Sequence, residues 1–151
     1  MSLRLLSPVE KYRLIASLDE SYSMNSAFFS DYEIVEWEGG YWAVSPMVLA
    51  LPLRKMRVES VGLLLARGRT LIPTVAAIQL FCRAWPDPIT LSRKDALAFI
   101  DRKAVAVNAS EGRHVVFFGG RALDLGEVSG KRLSRVGPSR DGGALMLSPR
   151  K

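Results

Sequence analysis

Residues 126 to 143 read GEVSGKRLSRVGPSRDGG, and within them Lys131, Arg132, Arg135 and Arg140 accumulate with no acid between Glu127 and Asp141. Cations at that density can hold a polyanion, because each Lys or Arg that meets a phosphate displaces condensed counterions and gains entropy. Arginine outnumbers lysine by 15 to 6 over the chain, and its planar fork binds phosphate bidentately or stacks on an unpaired base. Arg102 and Lys103, just after a helical stretch, supply a second edge for such a groove. Plainer roles exist for the same residues: Lys131 and Arg132 could discourage edge-to-edge strand pairing, and Arg102 could complement a helix C-terminus. Leu133 and Val136 have opposite parity, so the sequence leaves open which of these cations share a strand face.

Little else in the chain could do chemistry. His114 opens an apolar strand and reads as a structural residue, and Cys82 sits in the apolar run IQLFCRAW, where a buried thiol is inert. Asp95 and Asp101 are six apart on a helix and point different ways. The glycines of GGRALDLGEVSG spell neither a dinucleotide fingerprint nor a P-loop. One histidine and one cysteine provide no zinc or iron ligand set and no intramolecular disulfide. A non-catalytic protein without cofactor is expected.

The charge is unevenly placed. Residues 1 to 75 carry 8 Lys+Arg and 8 Asp+Glu, whereas residues 76 to 151 carry 13 and 7, so the second half holds the whole net charge of +6. That asymmetry points to a polyanionic partner for the second half, with protein the better guess for any partner of the first, whose Glu33, Glu36 and Glu38 repel phosphate. No window is apolar enough to span a membrane, and Pro8 and Glu10 interrupt the N-terminus too early for a secretory segment, so a cytoplasmic protein is expected.

The elements that must position these cations follow from local signals. Ser7, Pro8 and Glu10 start a helix by capping box, with Val9, Tyr12, Ile15 and Leu18 as its apolar stripe. YEIVEWEGGYWAVS is a hairpin around Gly39-Gly40 whose Trp37, Tyr41 and Trp42 group with Trp85 as packing aromatics. Ser45 and Pro46 open a two-turn helix, Ser60 to Ala66 is a strand, and Pro73-Thr74 starts a helix that runs until Pro86. WPDP, residues 85 to 88, is a stiff connector that divides the chain into domains 1–85 and 86–151. Beyond it come a short strand, a helix capped by Ser92 with Ala96, Leu97, Phe99 and Ile100 on one face, and a strand over residues 104–107. HVVFF and ALDLGEV then form a hairpin on whose second strand Leu123 and Leu125 share a face opposite Asp124. ALMLSPRK fits a closing strand or a frayed end. The fold class is α+β, a small α/β domain followed by a small β-barrel with one packed helix.

ITLSRKDALAFIDRKAVAV and HVVFFGGRALDLGEVSGKRL resemble the strand, helix, strand and central hairpin of a PUA domain, the small RNA-binding pseudo-barrel named after pseudouridine synthases and archaeosine transglycosylases. The stretch YWAVSPMVLALPLRKMRVESVGLLLARGRTLIPTVAAIQLF is similar to the pre-PUA portion of a ribosome-biogenesis factor, and the barrel to the RNA-binding segment of rRNA cytosine-5 methyltransferases. The likeness covers roughly residues 41 to 136. It implies an RNA-binding protein contacting rRNA or a pre-ribosomal particle during ribosome biogenesis or rRNA modification, and the cations whose spacing suits such an RNA are Arg102, Lys103, Lys131, Arg132, Arg135 and Arg140. The alternative is an adaptor whose basic face meets an acidic protein. Two positions depart from the family: the loop after the helix reads DRKA where many members have glycine, and Asp124 stands where related hairpins often carry another.

Overall fold

The computed structural model describes residues 2–82 and 84–136. Arg140 and the ALMLSPRK stretch therefore lie outside the described residues. The protein is mixed α+β, with two five-stranded sheets and four α-helices among the described residues, and no helix there is long and apolar enough to cross a membrane. The chain divides into two compact units, Met1–Arg83 and Ala84–Lys151.

In the first unit the strand order is β1 (Arg4–Leu5), β2 (Glu33–Trp37), β3 (Gly40–Val44), β4 (Leu63–Arg67), β5 (Ile72–Pro73). Every pairing is antiparallel, including the hairpin expected for YEIVEWEGGYWAVS. Helix α1 (Pro8–Tyr22) starts at the capping box: Ser7 Oγ accepts from the Glu10 N–H, and Glu10 accepts from the Ser7 N–H at 2.8 Å. That backbone bond, with Arg4 beside it, holds the Glu10 carboxyl down at about 2. The buried stripe is Leu14, Ile15, Leu18 and Tyr22. Val9 and Tyr12 are exposed instead, so the covered part of the stripe begins only at Leu14. Glu38 and Gly39, both at positive φ, form the β2–β3 turn, one residue earlier than Gly39-Gly40 suggested. Helix α2 (Pro46–Leu49) is a single turn capped by Ser45. Helix α3 (Val75–Phe81) begins at Thr74, which accepts from the Ala77 N–H and donates to the Leu64 carbonyl at 2.7 Å. It stops well short of Pro86, because Cys82 becomes extended and bridges to Met24.

The second unit's sheet, a curled half-barrel, has the order β6 (Ile89–Thr90), β8 (Gly112–Phe118), β9 (Arg121–Ser129), β10 (Arg132–Arg135), β7 (Val105–Ala106), with β6 parallel to β8 and the rest antiparallel. Helix α4 (Arg93–Ile100) joins β6 to β7 and is capped by Ser92, whose Oγ accepts from the Asp95 N–H at 3.2 Å. Only Ala96 and Phe99 of α4 are buried. Leu97 and Ile100, expected on the same face, are 59% and 42% exposed, since two turns of helix present one narrow stripe to a curved sheet. Phe99 packs with Val105, Val116, Val128 and Leu133.

A bulge between Val116 and Phe117 shifts β9 by one residue, so Asp124 opposes Val116 and Leu123 is left over. Leu123 therefore packs on the inner cluster while Leu125 opposes Val115 on the other face, contrary to the shared face expected from plain alternation. Asp124 faces inward. Gly126 lies on that inner face too, where an added Cβ would meet Leu133 Cδ1 and come 3.0 Å from Val116 Cγ2, both side chains fully buried. A Gly126→Ala variant is expected to lose roughly 1–3 kcal/mol of stability by overpacking, read by urea denaturation.

Candidate nucleic-acid interface

The β9–β10 hairpin turns on two residues, Gly130 and Lys131, with φ of 57° and 60°. This left-handed pair matches the twist of the flanking strands and pins the register, so Ser129 opposes Arg132 and Gly126 opposes Arg135. Partners directly opposite share a face. Leu133, fully buried, thus fixes Arg135 on the inner face and leaves Arg132 on the outer one.

Arg135 is withdrawn from any solvent-facing strip. Its Nε donates to Asp124 Oδ2 at 2.6 Å, its side chain is 17% exposed, and its Nη1 reaches the Ile100 carbonyl at 3.4 Å. That carbonyl belongs to the last residue of α4, so the guanidinium serves an orphan acceptor where the helix dipole favours positive charge. Asp124 Oδ1 accepts from the Leu125 N–H at 2.7 Å. The pair joins β9, β10 and the end of α4, and the Asp124 carboxylate draws Arg135 inward.

Beyond Ile100 the helix closes with a two-bond cap: Arg102 N–H donates to the Phe99 carbonyl at 3.1 Å and Lys103 N–H to the Ala98 carbonyl at 2.9 Å. This pattern requires a left-handed residue between, normally glycine; Arg102 fills it at φ 62°. The DRKA loop therefore keeps the backbone course a glycine would give and adds an exposed cation. Lys103 lies 3.4 Å from Asp101, but both side chains are 72% exposed and the pair is weak.

Arg102, Lys103, Lys131 and Arg132 border one two-stranded edge. Arg132 opposes Ala106 in β7, the Lys131 carbonyl accepts from the Val107 N–H at 3.0 Å, and Arg102-Lys103 lead into β7 at its other end. At strand rise the two cation pairs stand about 13 Å apart along the edge. All four are exposed, and among the described residues Arg102, Lys131 and Arg132 make no ion pair. Five of the six candidate cations are thus located, four along this edge and one behind it.

His114 is committed elsewhere. It is buried, with Nε2 2.8 Å from the Ser110 carbonyl and Nδ1 3.3 Å from that of Asp87, so it ties the segment before β8 to the connector. Cys82 is buried. No group of three His, Cys, Asp or Glu placed to hold a metal occurs among the described residues. No protein-family model matches the chain, and no curated protein matches it.

Burial pushes the Asp124 carboxyl above the usual carboxylate range, and the Arg135 and Leu125 hydrogen bonds offset only part of this. A raised folded-state pKa means that ionising Asp124 costs stability as pH climbs from about 4 through the raised value. Arg135→Met removes the main offset. The variant is expected to lose roughly 2–4 kcal/mol near neutral pH, with the deficit shrinking at mildly acidic pH and largely restored by adding Asp124→Asn; urea melts at both pH values check it.

Proposed function

We propose that the chain is a non-catalytic RNA-binding protein whose C-terminal unit is a PUA-like pseudo-barrel, and that it contacts rRNA during ribosome biogenesis or rRNA modification. The observation that carries this reading is the backbone state of Arg102 and Lys131. They are the left-handed non-glycine residues of the second unit's described part, and both are cations at the ends of one exposed edge. A left-handed side-chain-bearing residue costs on the order of 1 kcal/mol where glycine would cost none. The Arg102 charge also acts inside the fold, favouring the ionised Asp124 carboxyl; a long cation held at such a cost at Lys131 is understandable if its charge has work outside the fold.

The order strand, helix, strand, hairpin, strand agrees with the resemblance, and the net charge of the second half supplies the phosphate affinity. Unpaired RNA is the favoured ligand, since exposed arginine can meet phosphates and stack on unpaired bases.

Fluorescence anisotropy with a labelled single-stranded RNA tests the reading. Four phosphate contacts predict that log affinity falls with log salt at a slope of about −3. In an Arg102→Gly, Lys131→Gly double variant the slope is expected to drop to about −1.4, while the Lys131 change raises folding stability by roughly 0.5–1 kcal/mol through relief of left-handed strain and the Arg102 change gains less, since its charge also favours the ionised Asp124. Weaker binding by a more stable protein separates contact from fold. No RNA retention at low salt would overturn the reading and favour an acidic protein partner for this edge.

A further inference from the structure

In the first unit a groove of about 1040 Å³ opens beside the buried cluster of Val35, Trp42, Val44 and Val61. Its walls are Leu3, Trp37, Leu49, Leu53 and Val58, all half-buried. Trp37 is held in place by its neighbour: its ring stands 5.4 Å from that of Trp42, whose Nε1 donates to the Trp37 carbonyl at 3.1 Å. Leu51 and Met56 form lips that are 51% and 52% exposed. Between Leu53 and Met56 the rim carries Arg54 and Lys55, both exposed and, among the described residues, without an acidic partner. Glu38 is the one acid in the lining.

Apolar walls and lips gain about 25 cal/mol for each Å² covered, so the occupant must bring apolar side chains. The rim asks for negative charge beside them. RNA would leave the walls wet, and a second copy docking through the same face would set Arg54 and Lys55 against their own like charges. A bilayer surface cannot follow a concave wall. We propose that this groove docks an acidic amphipathic segment of a partner protein, its apolar side chains seated between Leu51 and Met56 and its carboxylates over Arg54 and Lys55. The proposal does not depend on RNA binding by the second unit.

Two labelled peptides of about 16 residues, long enough for roughly four helical turns, share one leucine pattern and differ in carrying Glu or Lys on the polar face. Titrated against the full chain by anisotropy, the Glu peptide is expected to bind about tenfold or more tighter than the Lys peptide. Arg54→Glu with Lys55→Glu should reverse that order. Met56→Ser, at an exposed lip and so harmless to folding, should weaken the Glu peptide severalfold, while Arg102→Gly with Lys131→Gly should leave it unchanged. Equal binding of the two peptides, an unchanged affinity in the Arg54/Lys55 variant, or displacement of the Glu peptide by an RNA oligonucleotide would overturn the proposal. So would retention on phosphatidylserine vesicles without binding of the peptide.

Discussion

The Asp124 carboxylate and Arg135 guanidinium meet at 2.6 Å on the inner face of the second unit's sheet, and the surroundings are arranged around that contact. Arg135 reaches the last carbonyl of α4, so one side chain fastens the helix end to β10 and, through Asp124, to β9. The loop that follows α4 leaves from this fastened point and turns through Arg102 into β7. A buried pair of this kind adds little to stability over a well-packed apolar substitute, but losing one partner is costly. Its consequence is positional: it ties the end of α4 to β9 and β10, beside the backbone cap through which Arg102 and Lys103 leave the helix.

The hairpin supplies the other half of the placement. Gly126 lets the inner faces of β9 and β10 close over Leu133, and the Gly130-Lys131 turn fixes the register that sends Arg135 in and Arg132 out. Two cations are then carried on left-handed backbone at opposite ends of the β7–β10 edge, each on the order of 1 kcal/mol above glycine. The proposed RNA surface is thus built from loops and turns on a framework whose rigid parts are apolar or internally paired. The first unit, near neutral in charge, instead offers an apolar groove with a cationic rim. Polyanion and amphipathic peptide are different chemistries, and each unit carries the residues suited to one of them.

Much of the fold was legible locally. Ser7, Ser92 and Thr74 mark helix starts because a hydroxyl before an apolar stretch has few other uses, and each does cap its helix. Helix faces were less legible: Val9 and Tyr12 of α1, and Leu97 and Ile100 of α4, continue an apolar stripe in sequence yet meet solvent, since how much of a stripe is covered depends on the partner surface. The bulge at Val116/Phe117 defeated simple alternation in the same way and hid Asp124 on the inner face. Arg135 is the instructive case. Composition placed it with Lys131 and Arg132, but a two-residue turn at Gly130-Lys131 pairs residue 135 with 126 and puts Asp124 on the adjacent diagonal, so the ion pair could have been found from turn arithmetic once the hairpin was recognised. The left-handed state of Arg102 had no signal in the residue itself, because arginine is not the residue that prefers the position; the hint lay in the glycine that the resembled domains often place in this loop.

Photocrosslinking of a single-stranded RNA to the full chain, with the attached residues mapped by mass spectrometry, tests the account most directly. Adducts concentrated at residues 101–104 and 130–132, and absent from Arg135, are expected. Adducts spread over α1 and the β2–β3 hairpin, or none at low salt, would contradict it.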